Sequence, residues 1–324
     1  MRVAQVSEFG GPEVLVPAEA PNPQAGPGQA VVAVSHIDTI FVETQVRAGA
    51  FDGYFPVEPP YVPGGGVAGT VRTVGDGVDE SWVGRRVVTA LGFTGGYAEQ
   101  AAADAAKLVA VPDGLGLREA AALAHDGVTA TALMEATGIA AGERVLILGA
   151  SGGMGVLLVQ LAKAAGARVV AVARGERKTA LVRELGADAV VDGARPDWTD
   201  QARSALGPAG ADVVLDGVGG EVGLAAFPLT ADGGRFSAHG APTGGFAPVD
   251  EAEAARRGVK LTGIAELQLP DEEYTRLAAH ALRLAAEGGL RPVIAETFPL
   301  SGAAEAHRAI EGRGLVGKVL LRTE

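Results

Sequence analysis

The segment that most limits what this chain can fold into is Val145-Leu146-Ile147-Leu148-Gly149-Ala150-Ser151-Gly152-Gly153-Met154-Gly155. Four successive aliphatic residues form a short strand with no polar face, as in strands buried on both sides. Glycines then turn the chain, and residues 156–165 form a helix that Gly166 stops at its C-terminal cap. Residues 168–173 supply the next strand and 178–185 the next helix, ended by Gly186. Further short strands fall at 189–191, 212–215, 235–238 and 260–262. Strands alternating with helices predict an α/β fold built on a doubly wound parallel sheet of the Rossmann kind.

A turn that takes a dinucleotide needs a tight reversal, a close backbone approach to the pyrophosphate, and close helix–sheet packing. Ala150 takes the first glycine position, Gly152 the second and Gly155 the third. Ala150, Ser151, Gly152, Gly153, Met154 and Gly155 are therefore the expected phosphate cradle, with the N–H groups that open the helix as donors. The alternative is a turn of a doubly wound domain that binds nothing. The end of the second strand then separates the cofactors. NAD sites place an acid there to bind the ribose hydroxyls, whereas this chain has Arg174, with Lys178 one helical turn on and Glu176 between them. A guanidinium and an ammonium suit a 2′-phosphate, so NADPH is the expected cofactor.

The first 115 residues have a different texture. Short apolar runs at 31–34, 67–74, 86–90 and 108–111 are broken by Gly and by Pro21, Pro23, Pro27, Pro56, Pro59, Pro60 and Pro63, which forbid long helices. A barrel-like all-β domain is predicted there. At 324 residues the chain is long for one core. After about residue 264 the pattern is mixed again, with a helix over 271–287 and a last strand over 318–321. The net charge of −12 argues against nucleic acid or an anionic membrane as partner. No apolar run is long enough to span a bilayer, and a cytoplasmic location is expected. The absence of cysteine removes disulfides, thiolate nucleophiles and cysteine-ligated zinc.

A series of fragments in order along the chain resembles the zinc-independent quinone oxidoreductase branch of the medium-chain dehydrogenase/reductase superfamily. These are Val62-Pro63-Gly64-Gly65-Gly66-Val67-Ala68-Gly69, Val74-Gly75-Asp76-Gly77, Val83-Gly84-Arg85-Arg86-Val87, Gly95-Gly96-Tyr97-Ala98-Glu99, Gly127-Val128-Thr129-Ala130, Gln160-Leu161-Ala162-Lys163, Glu184-Leu185-Gly186-Ala187-Asp188 and Gly317-Lys318-Val319. The resemblance implies a GroES-like catalytic β domain over 1–118, a Rossmann NADPH-binding domain over 119–265, and a return to the catalytic domain over 266–324. Zinc-dependent members carry His-Glu where this chain has Gly65 and Gly66. No metal is expected, since His36, Asp38 and Glu43 show no convincing ligand spacing.

Without a Lewis acid, an alcohol is a poor substrate, whereas a quinone or α,β-unsaturated carbonyl accepts hydride at carbon and spreads the charge to a distant oxygen. The family's active-site segment resembles Ile40-Phe41-Val42-Glu43-Thr44-Gln45-Val46-Arg47, but Ile40 replaces the usual Asn and Gln45 the usual Tyr. Glu43 and Gln45 are expected to hydrogen-bond the substrate oxygen or a proton-delivering water, beside Arg47 and Tyr54; a Glu43–Arg47 ion pair is the structural alternative. Tyr61 is a packing or stacking candidate. Thr129, Gly217, Val218, His239 and Gly240 are expected to line the cofactor, and the resemblance adds Lys318 at its phosphates and a homodimer. Two other readings stay open: an enoyl-thioester reductase of fatty acid or polyketide metabolism, and an NADPH-binding sensor without catalysis.

Overall fold

The computed structural model describes residues 1–50, 55–267 and 269–323. The chain divides into two compact units, 1–128 with 269–324 and 129–268.

In the second unit the strands Arg144–Leu148, Arg168–Ala173, Ala189–Asp192, Ala211–Asp216, Thr230–Ala238 and Lys260–Gly263 form one sheet. All its pairings are parallel. Taken as 1 to 6 along the chain, they lie in the order 3-2-1-4-5-6, the arrangement of a dinucleotide-binding sheet. The first strand is central, and Val145, Leu146, Ile147 and Leu148 are at most 1% exposed. That explains its unbroken apolar run, because crossover helices cover both faces of a parallel sheet. The helix Gly153–Ala164 turns Val156, Leu157, Leu158, Val159 and Ala162 inward. Trp198–Leu206 is a further helix where the sequence pattern suggested none; it buries Trp198, Ala202 and Leu206.

In the first unit the long strand Gln29–Asp38 is the organising element. It pairs antiparallel with Gly66–Val74, Gln100–Asp104 and Lys318–Arg322. Arg86–Ala90, Val109–Ala110 and Ile294–Pro299 extend the sheet, while Arg2–Val6 and Leu15–Glu19 form a separate hairpin. The unit ends at residue 128 rather than 118. The helix Leu117–Leu123 buries Ala120, Ala121, Ala122 and Leu123 within it. Two short helices were hidden by the proline-rich pattern and by length: Phe41–Arg47 and Ala303–Glu311. Among the described residues no helix is long and apolar enough to cross a membrane.

Candidate functional site

The glycine turn of the second unit has the properties a phosphate cradle needs. Gly149 has φ of +68°, a left-handed conformation that spares only glycine a steric cost. A Cβ on Gly155 would lie 2.3 Å from the Gly149 carbonyl oxygen and 2.8 Å from the Ala150 backbone, so the helix packs on the turn at contact distance. Gly152 is the reverse case. It is exposed, and a Cβ there would meet only the Gly149 carbonyl, at 3.4 Å. Gly152 is the N-cap of the helix and no side chain caps it, so the N–H groups of Gly153, Met154 and Gly155 have no helical partner. Open space over unpaired donors at the positive end of a helix dipole fits a pyrophosphate. Ser151 is buried and Ala150 is fully so, which makes them the floor of the turn.

The charge expected for the adenosine end is also present. Arg174 leaves the strand Arg168–Ala173 exposed, and among the described residues it makes no ion pair. Lys178 is half-buried in the helix Glu176–Glu184. Asp192, at the end of the neighbouring strand, accepts from the N–H groups of Gly175 and Ala194 at 2.9 Å each. Those bonds hold its carboxyl below the usual range.

The turns after the fourth and fifth strands interlock. Buried Asp216 accepts from the N–H groups of Val218 and Gly219 at 2.9 Å each. A Cβ on Gly240 would strike the Gly217 carbonyl at 2.3 Å. His239 is 8% exposed and its ring lies against Gly217. Burial pulls its pKa down to about 4, so it stands neutral. Thr129 is buried in the first turn of the helix Asp126–Thr137.

The first unit requires corrections at Glu43, Arg47 and Lys318. Glu43 and Arg47 were expected at the substrate, yet they are only 3% and 2% exposed. Glu43 accepts from the N–H groups of Ile40 and Gly65, 3.1 Å each, and from the Tyr97 hydroxyl at 2.8 Å. The alternative Glu43–Arg47 ion pair is replaced as well: Arg47 pairs with Glu311 at 2.6 Å and donates to the Gly10 carbonyl. An ordered chain results. Arg47 faces His307 Nδ1 at 3.4 Å, His307 Nε2 faces the Tyr97 oxygen at 2.9 Å, and Tyr97 donates to Glu43. Burial, reinforced by the Arg47 charge, takes His307 down to about 3. Burial raises Glu43 to about 7, against its three hydrogen bonds and with help from the Asp38 charge. Gln45 is half-buried on the same short helix. Tyr61 pairs by backbone with Val6, and its buried hydroxyl has no hydrogen-bond partner among the described residues. Tyr54 lies outside the described residues.

Lys318 was expected at the cofactor phosphates. It is instead 4% exposed and sits between two buried carboxylates, with Nζ 2.5 Å from Asp38 and 3.0 Å from Asp126. Those carboxylates satisfy its charge inside the first unit. Sequence reasoning missed Asp126 and its neighbour His125 altogether. The available signal was a His-Asp pair next to a predicted helix start, in an otherwise apolar stretch.

The donor set does not suit zinc. A Cβ on Gly65 would lie 2.3 Å from the Gly92 carbonyl, so the backbone itself fills the place of a ligand side chain. Among the described residues no three His, Asp or Glu side chains converge as ligands, and the chain has no cysteine.

Residues 26–113 match the family described as Alcohol dehydrogenase GroES-like domain, and residues 153–285 the family described as Zinc-binding dehydrogenase. A quinone oxidoreductase of Sus scrofa is 33% identical over 99% of this chain and 97% of its own. A 2-haloacrylate reductase of a Burkholderia species is 32% identical over 98% of each. A mycobacterial protein solved as a complex with NADPH superposes with a TM-score of 0.91 at 32% identity, covering 99% of both chains.

Proposed function

The chain belongs to the zinc-independent quinone oxidoreductase branch of the medium-chain dehydrogenase/reductase superfamily, and from that premise we propose that it reduces a quinone or α,β-unsaturated carbonyl with NADPH. The observation that carries this reading is the uncapped helix N-terminus over open Gly152, with exposed Arg174 at the end of the following strand. Gly152, Gly153, Met154 and Gly155 would hold the pyrophosphate, and Arg174, helped by Lys178, the 2′-phosphate. Thr129, Gly217, Val218, His239 and Gly240 would line the rest of the cofactor. When bound, NADPH supplies the hydride.

The protein's own contribution is orientation and electrostatics. His239 is held neutral, so it adds no positive charge that would disfavour the oxidised nicotinamide. Glu43 ties the Ile40 and Gly65 backbones together and so fixes the two segments that the family uses around its substrate. Gln45 is the polar side chain of that segment with partial exposure. Acceptors with a conjugated carbonyl suit a site without a Lewis acid, and the haloacrylate-reducing relative supports that class. A homodimer in the cytoplasm completes the proposal.

The test is to follow NADPH oxidation with a panel of 1,4-quinones, α,β-enones and crotonyl-CoA, with a saturated ketone as control. Turnover of quinones or enones and none of the ketone is the expected result. Binding of NADPH without turnover of any acceptor would instead favour a sensor, and turnover of crotonyl-CoA alone a thioester reductase.

A further inference from the structure

Asp126 opens the helix Asp126–Thr137 and His125 precedes it, both in the first unit, and four groups from three distant parts of the chain meet there. The Lys318 ammonium bridges Asp38 and Asp126. The free oxygen of each carboxylate then turns to His125. Asp38 Oδ2 accepts its backbone N–H at 3.1 Å, and Asp126 Oδ1 faces its ring Nδ1 at 3.2 Å. Both carboxylates and the ammonium are buried, 6% exposed at most, whereas the imidazole is 45% exposed. No described residue bonds its Nε2.

A carboxylate on Nδ1 fixes the proton there in the neutral ring and stabilises the imidazolium, which leaves Nε2 to exchange protons with whatever lies outside. The charges add in the same sense. The Asp126 carboxylate, which the Lys318 and His125 contacts hold down at about 2 against its burial, puts a negative charge beside the ring, which favours its protonated form. Burial and the Lys318 charge would pull its pKa down, but the Asp126 hydrogen bond and the Asp126 and Asp38 charges raise it overall. The helix Asp271–Ala286, packed on the same region, presents the Tyr274 hydroxyl, which donates to the Ala124 carbonyl at 3.4 Å.

Ala124, which precedes the dyad, and Asp38, which accepts the His125 backbone N–H, adjoin a segment expected at the substrate. A Cβ on Gly66 would lie 3.1 Å from the Ala124 Cβ and 3.3 Å from the Asp38 Cβ, while Gly65 bonds Glu43. We propose that His125 is the proton donor of the reaction, delivering the Nε2 proton to the acceptor's oxygen. Asp126 positions it, and Asp38 and Lys318 hold that pair. The proposal rests on the reductase reading above. In the step, hydride from NADPH forms a C–H bond at the electrophilic carbon, and the π electrons move onto the carbonyl oxygen. That oxygen takes the proton while the N–H electron pair stays on nitrogen, and water reprotonates the ring. One acceptor, one NADPH and one proton yield one reduced product and one NADP⁺. A positioned general acid contributes about 10²–10⁴-fold.

The test compares wild type, His125→Gln and Asp126→Asn with NADPH and cyclohexenone, over a range of pH, alongside NMR titration of the histidine rings without cofactor. Because His125 is half exposed, His125→Gln is expected to fold normally. It should lower kcat about 100-fold, leave NADPH affinity within about twofold, and abolish the decline of kcat at high pH that a general acid imposes. The His125 ring should titrate above its ordinary value in wild type and lower in Asp126→Asn. Wild-type kcat with its alkaline limb intact in His125→Gln overturns the proposal, as does a His125 ring indifferent to Asp126→Asn. A wild type that oxidises NADPH with no acceptor overturns the reductase reading, and the proton-donor role with it.

Discussion

Glu43 shows how burial can set the behaviour of a single residue. Its carboxyl is held at about 7 in the folded protein against an ordinary 4.5. Between those values the native state keeps a proton that the unfolded chain has lost, so this group's contribution to stability falls as pH rises. The gap corresponds to about 3 kcal/mol. Neutral His239 and His307 act in the opposite sense, adding stability as pH rises to their ordinary 6.5. The Glu43 effect is therefore read as a difference. The stability of wild type minus that of Glu43→Gln, from urea denaturation, should fall by about 3 kcal/mol between about pH 4.5 and about pH 7.5. A constant difference would mean that Glu43 ionises as an ordinary carboxylate. None of this was legible from spacing. The sequence pattern paired Glu43 with Arg47 because they stand one helical turn apart, but their partners come from Tyr97, His307 and Glu311. The Asp38–His125 and Asp126–Lys318 contacts, 87 and 192 residues apart, were hidden for the same reason.

The helix Gly153–Ala164 was legible from both ends: its glycines, its apolar face and its stop at Gly166 are local signals. Its open N-cap carries a prediction. Gly152 has φ of −76° and ψ of 171°, which an L residue adopts freely, and a Cβ there meets no clash. In Gly152→Asp the new carboxylate would cap the helix and occupy the anion's place. The apo protein should gain up to about 1 kcal/mol, a few tenths from exchanging a glycine cap and the rest from the carboxylate at the positive end of the helix dipole, while NADPH binding falls at least about 100-fold through repulsion and lost donors. Scanning calorimetry and fluorescence titration check the two halves; unchanged NADPH affinity would move the phosphate away from this helix. The helices Phe41–Arg47 and Trp198–Leu206 were not legible. The first has only seven residues in a proline-punctuated stretch, and the second draws its apolar face from just Trp198, Ala202 and Leu206.

At the scale of the whole molecule, a parallel doubly wound sheet was implied by the repeating pattern, while its strand order is set by tertiary pairing that no local pattern carries. Residues 129–268 are continuous, whereas the first unit needs both chain ends. Expressed alone, 129–268 should unfold cooperatively in urea. A fragment of 1–128 should not, because it lacks the strand Lys318–Arg322 and leaves Asp38 and Asp126 buried without Lys318. Circular dichroism through a denaturant series decides this, and a cooperative 1–128 fragment would contradict the division. The central claim, a reductase that holds NADPH through the glycine turn and Arg174, is tested most directly by titrating NADPH and NADH into wild type and Arg174→Ala. The account predicts that wild type binds NADPH at least about tenfold more tightly than NADH and that Arg174→Ala loses this preference while its NADH affinity is unchanged. Failure of wild type to bind NADPH, or a preference that survives the substitution, would contradict it.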